Sequence, residues 1–354
     1  MTSRKVRIIY NDDVSFEEHL SNGEKVQLEG VVKTAEQVQS ALRERGYDAV
    51  MIPLRHDRGE GLDDFIASVK DSGKDVVFNL CEAAFGISSY EMNIAALLEL
   101  KGVRYTGSGP LTLGLSLDKG ISKDILTMRG IATPSYRVVE SAGVPLEGVA
   151  RFPLIVKPLK EDASLGIDPD AVVKNAAELR KRVEFVINRF SQPAIVEEYI
   201  DGREFNVAVL GNGVNTRVMP PAELTFVEFP EGSPRICSYE AKWIPTSPLY
   251  KKTVPVCPAD VAPELAEELK RVALKSYNVM GCRDYARVDV RLGDDGVVKV
   301  LEVNPNPDLS MDAGLARAAK AHGLDYPGLI EYIVEAARAR HIDAPAQHSN
   351  ATPN

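Results

Sequence analysis

Arg287-Val288-Asp289-Val290-Arg291-Leu292, then Asp294-Asp295-Gly296, then Val300-Leu301-Glu302-Val303-Asn304, is the stretch on which the fold turns. Side chains on a strand alternate faces, so Arg287, Asp289 and Arg291 share one face and Val288, Val290 and Leu292 the other. In the second run Glu302 and Asn304 fall on one face, Leu301 and Val303 on the other. Asp-Gly between two alternating runs predicts a hairpin. A turn centred near Asp294-Asp295 sets Asp289 opposite residues 300 to 302, so Asp289, Glu302 and Asn304 converge. Two carboxylates and an amide oxygen suit a hard divalent cation, and Mg²⁺ leaves its remaining positions to phosphates. The hairpin therefore reads as a metal–nucleotide site. Its rival is a solvated sheet face with incidental charges.

The rest of the chain sets the frame for that hairpin. Its 354 residues allow two or three domains, and 44% hydrophobic with 26% charged residues fits a globular protein with a substantial core. A formal charge of -9 argues against a nucleic-acid binder that works by neutralising phosphates. The four cysteines, Cys81, Cys237, Cys257 and Cys282, are far apart and include no C-x-x-C pair. They indicate neither a zinc ribbon nor a disulfide framework. No apolar run approaches the roughly 18 residues of a membrane span, and the start lacks an apolar leader. The expected compartment is a reducing cytoplasm.

The first hundred residues alternate strand and helix. Strands are predicted at 6–10, 49–54 and 75–80 and helices at 30–45, 62–70 and 88–100, which implies a parallel sheet flanked by helices. No G-x-G-x-x-G follows the first strand, where Tyr10-Asn11-Asp12-Asp13 stands, so a dinucleotide site is not expected there. Gly107-Ser108-Gly109-Pro110 opens a second region. Helical segments lead to Lys119 and Lys123, a strand covers 152–157, and a polar loop runs from Pro158 to Gly166. A helix near 176–188 and a strand near 194–199 complete an α+β unit. Strands at 205–210 and 214–219, a helix at 261–278, the hairpin, and helices at 313–320 and 326–340 follow. The tail from His341 is expected to be disordered.

Several chemical groups stand in one order along this frame. Lys119 lies in Ser116-Leu117-Asp118-Lys119, and Lys157 ends the apolar run Ile155-Val156-Lys157. Glu197, Tyr199 and Glu204 fall within Val196-Glu197-Glu198-Tyr199-Ile200-Asp201-Gly202-Arg203-Glu204, and Lys242 within Tyr239-Glu240-Ala241-Lys242. The hairpin comes last. Each element has a plain alternative. Lys157 reads equally as a strand-end lysine, Glu197-Glu198 as a solvated edge, and Lys160-Glu161-Asp162 as a surface loop. Cys81 and Cys282 read as small buried hydrophobes and Arg291 as structural.

Taken together, the order from Tyr105-Thr106-Gly107-Ser108 to about residue 310 resembles the ATP-grasp superfamily, and within it the D-alanine–D-alanine ligases. The resemblance implies a three-domain α/β plus α+β ATP-grasp fold. Its parts would be an N-terminal parallel-sheet (preATP-grasp) domain at 1–107, a central subdomain at 108–200, a C-terminal subdomain at 201–342 and a tail at 343–354. It also implies roles for the residues. Lys119, Lys157 and Lys242 would bind ATP phosphates beneath a lid at 160–166. Glu197 and Tyr199 would hold the adenine edge and Glu204 the ribose hydroxyls. Asp289, Glu302 and Asn304 would carry two Mg²⁺ ions, with Mn²⁺ able to substitute. Arg287, with Lys242 and Ser164, would serve the chemical step.

The implied reaction is physically coherent. Joining a carboxylate to an amine in water is uphill, so the carboxylate is first activated by phosphoryl transfer, which positioning and charge neutralisation promote. Lysines act as point charges, and a planar guanidinium holds carboxylate and phosphate oxygens together. The acyl phosphate hydrolyses readily, so a closing lid is needed to exclude water.

Departures from the ligase pattern collect on the substrate side. The turn after the first strand is Asn11-Asp12-Asp13-Val14-Ser15, where only Glu17 or Glu18 could meet a substrate ammonium. A His-Gly segment after the third strand is replaced by Asn79-Leu80-Cys81-Glu82, a lid Gly-Ser-Ser by Asp162-Ala163-Ser164, a tyrosine by Trp243 and a Pro-Gly by Pro307-Asp308. The serine expected at the second carboxylate falls near Ala313. Asp308 places an anion near that pocket, which points to an amine-bearing or cationic acceptor.

The resulting expectation is an ADP-forming, Mg²⁺-dependent carboxylate–amine ligase with small-molecule substrates, resembling a homodimeric family. No nucleic-acid or membrane partner is expected. The narrower alternative is D-alanine–D-alanine ligase itself, in peptidoglycan precursor synthesis. A different class is a phosphotransferase that does not ligate, and another is a non-catalytic nucleotide-binding partner.

Overall fold

The computed structural model describes residues 4–12, 18–19, 25–26, 30–55, 59–69, 75–144, 146, 151–162, 164–229 and 231–340. Glu17, the 343–354 tail and Ala163 lie outside the described residues. The chain opens with β1 (Lys5–Asp12), the short antiparallel pair β2 (Glu18–His19) and β3 (Lys25–Val26), then α1 (Gly30–Glu44), β4 (Asp48–Arg55), α2 (Glu60–Ser68), β5 (Val76–Asn79) and α3 (Glu91–Leu100). Strands separated by helices pair in parallel, and the observed order is β4-β1-β5 with Ile8 facing Met51 and Phe78. Amphipathic α1 buries Thr34, Ala35, Val38, Ala41 and Leu42 and stops before Gly46, which takes the left-handed φ of 79°. A parallel bridge from Val77 to Tyr105 extends the sheet edge beyond β5.

Two helices follow, α4 (Pro110–Leu117) and α5 (Lys119–Met128). They are separate because Asp118 leaves helical geometry and its carboxylate accepts from Ile121 N at 3.1 Å, capping α5. Lys119 is thereby placed at the first turn of α5. Next come β6 (Tyr136–Val139), β7 (Leu154–Pro158), β8 (Val172–Val173), α6 (Ala176–Phe190) and β9 (Ala194–Glu198). They form an antiparallel sheet in the order β6-β9-β7-β8, with α6 burying Leu179, Val183 and Val186 against it.

The third sheet is built from β10 (Arg203–Leu210), β11 (Arg217–Val218), β12 (Ala222–Phe226), β13 (Thr253–Val256), β14 (Tyr285–Leu292) and β15 (Val298–Asn304), with α7 (Tyr239–Trp243), α8 (Pro248–Lys252) and α9 (Pro263–Val279) between them. Its order is β13-β12-β10-β14-β15, and β11 pairs with β10. The strand expected at 214–219 shrinks to Arg217–Val218. Gly211 and Gly213 take φ of 90° and 54°, and the Asn212 amide is held by Asp284 (Nδ2 to Oδ1, 2.7 Å), so the chain turns there. Helix α9 packs Leu269, Val272 and Ala273 on Val288, Val290 and Val300. One face of β14 is thus consumed by the core, leaving Arg287, Asp289 and Arg291 on the other, as alternation requires.

Two last helices, α10 (Gly314–Ala321) and α11 (Tyr326–Ala339), return to the first sheet. Leu315, Ala319, Leu329, Ile330, Ile333 and Val334 share one core with Val6, Ile8, Val38 and Phe78. Among the described residues no helix is long and apolar enough to cross a membrane.

Candidate active site

The hairpin forms as its sequence predicts, with a correction that matters. Arg287 faces Asn304, Val288 faces Val303 and Asp289 faces Glu302, but Val290 faces Val300. Leu301 is therefore an extra residue, a bulge in β15. Strict alternation would have put Val300 on the same face as Glu302 and Asn304. The slip lets Val300 and Val303 both enter the core while Glu302 and Asn304 point the other way. Asp289, Glu302 and Asn304 do converge: Asn304 Nδ2 donates to Asp289 at 3.1 Å and to Glu302 at 3.4 Å. Arg287 grips both Asp289 oxygens at 2.7 Å, and Asn206 on β10 donates to Asp289 Oδ1 at 2.7 Å. Asn206 was not anticipated. Only the register of β10 with β14, which sets Asn206 opposite Asp289, reveals it.

The second sheet brings its own charges to the same cleft. Lys157 on β7 pairs with Glu197 on β9 at 2.8 Å, as antiparallel neighbours can. Lys123, one turn into α5, reaches the same carboxylate at 3.2 Å, and both it and Glu197 are 1% exposed. Its ammonium also donates to Thr133 Oγ1 and to the bulge carbonyl of Leu301, each at 3.0 Å. Lys123 therefore joins α5, β9 and β15 through one buried cation. Burial would raise the Glu197 pKa, but Lys123 and then Lys157 outweigh it and hold the carboxyl at about 2. Lys119 is nearly as buried and donates to the Glu161 carbonyl, with the Asp162 carboxylate at 3.5 Å. Burial opposes its charge, while Asp162, Glu302 and Glu197 favour it and raise its pKa.

The remaining predicted residues are placed as follows. Glu204 on β10 accepts from Arg291 Nη2 at 2.6 Å and Nε at 3.0 Å, and Arg291 is itself 3% exposed. Arg291 is thus structural, as expected, and what it holds is Glu204. Tyr199 follows β9 directly, with its hydroxyl accepting from Arg235 N at 2.9 Å and the Arg291 guanidinium 5.5 Å from its ring. Lys242 lies on α7, 5.0 Å from the Trp243 ring, and its charge is felt at Glu302. Ser164 sits in the loop after β7 with a left-handed φ of 64°, its carbonyl accepting from Ile167 N at 3.0 Å. Asp308 turns its carboxylate onto Ser310, accepting from N at 2.8 Å and Oγ at 3.1 Å. Cys81 and Cys282 are buried, and burial pushes the Cys282 thiol up to about 12, which suits a hydrophobe rather than a nucleophile.

The donor set can be tested against a divalent cation. Burial pushes the Glu302 carboxyl up, but Lys119, Lys157, Arg287 and Lys242 overcome it and hold it at about 2, so it is fully ionised. Burial likewise pushes Asp289 up, Arg287 pulls against that, and the facing Glu302 charge adds to the rise. Two carboxylates directly opposite in a ladder, Asp289 buried and Glu302 half-buried, repel, and a cation between them would remove that cost. Among the described residues no three His, Cys, Asp or Glu side chains are placed to share an ion. The set is two carboxylates and an amide, all oxygen donors, which fits Mg²⁺ completed by phosphates and not a closed transition-metal site.

A family model described as the D-ala D-ala ligase C-terminus matches residues 125–335. The chain is similar to the uncharacterized protein y4sG of Sinorhizobium fredii, at 36% identity over 88% of this chain and 89% of that one. It is 30% identical to the D-alanine–D-alanine ligase of Cupriavidus necator over 90% of each chain. A solved D-alanine–D-alanine ligase of Bacillus anthracis, complexed with ATP, superposes with a TM-score of 0.73 at 23% identity, covering 96% of this chain and 98% of that one. The fold that sets the two antiparallel sheets and their cations around one cleft is ATP-grasp, and this chain belongs to the D-alanine–D-alanine ligase family.

Proposed function

We propose that the protein is an ADP-forming, ATP- and Mg²⁺-dependent ligase that activates one carboxylate as an acyl phosphate and passes it to an amine. One observation carries this reading: Lys119, Lys157, Lys242 and Arg287 all act electrostatically on Glu302, opposite Asp289. Four cations gathered about paired carboxylates suit polyphosphate and metal better than any neutral ligand. The relatives named as D-alanine–D-alanine ligases and the neighbour solved with ATP support it.

In this reading Asp289, Glu302 and Asn304 would hold Mg²⁺, which would supply charge neutralisation for the phosphates. Lys119 exchanges its lid contacts with Glu161 and Asp162 for phosphate oxygens when ATP enters, so nucleotide binding and lid position are coupled. Lys157 and Lys242 complete the phosphate contacts. Glu197 serves first as the buried anchor that aims Lys157, and with Tyr199 borders the adenine pocket. Glu204, fixed by Arg291, offers its carboxylate toward the ribose. Arg287 is oriented by Asp289 and faces the reacting carboxylate, where charge builds during phosphoryl transfer and amine attack. Ser164 rides on the lid that excludes water from the acyl phosphate.

The experiment is an ADP-release screen of amino acids and small acids, singly and in pairs, with ATP and Mg²⁺. Release that needs both a carboxylate and an amine is expected. Release with an acid alone and no coupled product would identify a phosphotransferase instead, and D-alanine sufficing alone would give the narrower D-alanine–D-alanine ligase. The Glu302→Gln variant should lose about 100- to 1000-fold in kcat, because a carboxylate that would hold the charge-neutralising Mg²⁺ is removed. Turnover surviving that change would sink the metal assignment.

A further inference from the structure

We propose that Glu82 is the general base of the ligation step, taking a proton from the ammonium of the amine substrate so that its nitrogen can attack the activated carboxylate. This rests on the ligase reading above and assigns a residue to a step that the groups placed so far do not serve.

The reaction requires such a group. An amine arrives at neutral pH as an ammonium, which has no lone pair for attack. One proton passes to the base, and the freed pair forms the C–N bond. The C–O bond to phosphorus's bridging oxygen then breaks, and phosphate departs with that electron pair and with a second nitrogen proton. The products are the amide, hydrogen phosphate and a protonated base. Most carboxylates of the cleft are already engaged. Asp289 is gripped by Arg287 and Asn206, Glu197 by Lys123 and Lys157, and Glu204 by Arg291. Asp162 faces Lys119, Asp308 accepts from Ser310 N and Oγ, and Glu91 accepts from Asn306 Nδ2 at 2.8 Å. Glu302 is held at about 2, too acidic to keep a proton at neutral pH. Among the described residues the Glu82 carboxylate has neither a hydrogen bond nor an ion pair; only its backbone is tied.

The fold fastens Glu82 to the substrate side of the hairpin. It follows β5 at the carboxyl end of the parallel sheet, the edge at which open α/β sheets take ligands. Glu82 N donates to Asn11 Oδ1 at 3.1 Å, and Cys81 N donates to Asn79 Oδ1 at 3.1 Å. The Cys81 carbonyl accepts from Asn306 Nδ2 at 3.3 Å, and Asn306 Oδ1 accepts from the Tyr285 hydroxyl at 2.9 Å. Asn306 lies two residues beyond Asn304, so the Cys81–Glu82 peptide is pinned to the chain leaving the Asp289–Glu302–Asn304 cluster. The Glu82 side chain is exposed, and the groups that act on it line the cleft. They are Asp162 after β7, Lys242 of α7, Asp308 after β15, Glu91 of α3 and the Tyr285 phenol of β14. Enclosure by these walls raises the Glu82 pKa, Asp308 adds to the rise, Lys242 opposes it and Asp162 adds again, leaving it at about 7. A base with that affinity is both ionised and able to keep a proton at neutral pH. The paired charges of Glu82 and Asp308 also favour an incoming ammonium over a neutral group.

The test compares a nucleophile that needs a base with one that does not. At saturating ATP, Mg²⁺ and carboxylate donor, the amine substrate is set against hydroxylamine, which is unprotonated at neutral pH and traps an acyl phosphate as the hydroxamate. Glu82→Gln should lose at least about 100-fold in kcat with the amine, the usual worth of a positioned base, and keep hydroxamate formation within about 3-fold. Its KM for ATP should stay within about 2-fold of wild type, since only the second step is touched. In the wild type, kcat/KM for the amine should fall as pH drops below about 7, and Glu82→Gln should lack that limb. Glu82→Asp, which keeps the carboxylate, should retain the limb at a rate between the two. Undiminished amide formation in Glu82→Gln, an unchanged pH limb, or equal loss of amide and hydroxamate overturns the proposal and leaves ligation intact. A wild-type enzyme that forms neither amide nor hydroxamate from any acid overturns the ligase reading and this proposal with it.

Discussion

At the scale of single residues the decisive object is a buried carboxylate shared by two lysines. Glu197 titrates near 2 in the folded protein because Lys123 and Lys157 outweigh burial, whereas an ordinary glutamate in the unfolded chain titrates near 4. A carboxyl whose folded pKa is depressed stabilises the fold above its unfolded pKa, and that contribution disappears as pH falls through the folded value. Glu197 should therefore contribute about 3 kcal/mol above pH ~5, fading as pH falls to ~2. The urea-unfolding stability of Glu197→Gln should be correspondingly flatter than wild type over that window, and parallel curves would refute the assignment. Lys123→Met leaves Lys157 as the sole partner of a sealed carboxylate and should cost about 3 kcal/mol at neutral pH. Lys119, Lys157 and Glu197 were legible as site residues only through their order along the chain, which resembles the ATP-grasp pattern; taken alone, Lys157 reads as a strand-end lysine and Glu197 as part of a solvated edge. Lys123 was invisible as a site residue. A lysine four positions along an amphipathic helix normally marks the wet face, and only the packing of α5 against β15 shows that this one is buried.

Among elements, β15 shows where pattern reading succeeds and where it ends. The Asp-Gly turn and the alternating valines suffice to predict the hairpin and the convergence of Asp289, Glu302 and Asn304. They do not reveal the bulge, because a run such as Val-Leu-Glu-Val has no residue that announces the extra position. The bulge is explained from outside the strand: the Leu301 carbonyl accepts from Lys123, and Val300 N donates to the Ala132 carbonyl at 2.8 Å. Removing Leu301 should let β15 close on β14 as a regular ladder, with Asp289 and Glu302 still opposite, while Lys123 loses a carbonyl acceptor. The expected result is a folded protein less stable by about 1.5–3 kcal/mol, the worth of a hydrogen bond to a charged group. Wild-type stability in the deletion variant by urea titration would show that the bulge has no such function. The same limit applies at 213–219, where the Asn212–Asp284 contact replaces an expected strand by a turn, and sequence spacing could not anticipate a partner 72 residues away.

For the molecule as a whole, the chain's two ends are one structural unit. The first hundred residues read as a self-contained strand–helix domain, and their sheet forms as predicted, but its core is completed by the last helix. Ile330, Ile333 and Val334 of α11 are fully buried with Val6, Ile8 and Val38 of the first unit. Tyr47 donates to Glu335 at 2.7 Å, and Arg340 pairs at 2.9 Å with the sealed Asp284, which also accepts from Gly107 N at 2.9 Å. The residue just before β14 is thus tied to the point where the first unit ends and to the end of α11. This could not be read from sequence, because the amphipathic stripe of α11 specifies an apolar partner without saying which sheet supplies it. Two consequences follow from physics. A fragment of residues 1–107 lacks one wall of its core and should remain uncooperative in urea, with no sigmoidal far-UV transition. In the full chain, Ile333→Ala opens a cavity in that shared wall and should cost about 2–5 kcal/mol. Ile333 lies in the core that α11 shares with α1 and the first sheet and not in the Arg287–Glu302 cleft, so the KM for ATP should stay within about 2-fold of wild type. A fragment that folds cooperatively by itself, or an Ile333→Ala loss below about 1 kcal/mol, would mean that α11 merely rests on the first sheet and that the cleft's orientation is set elsewhere.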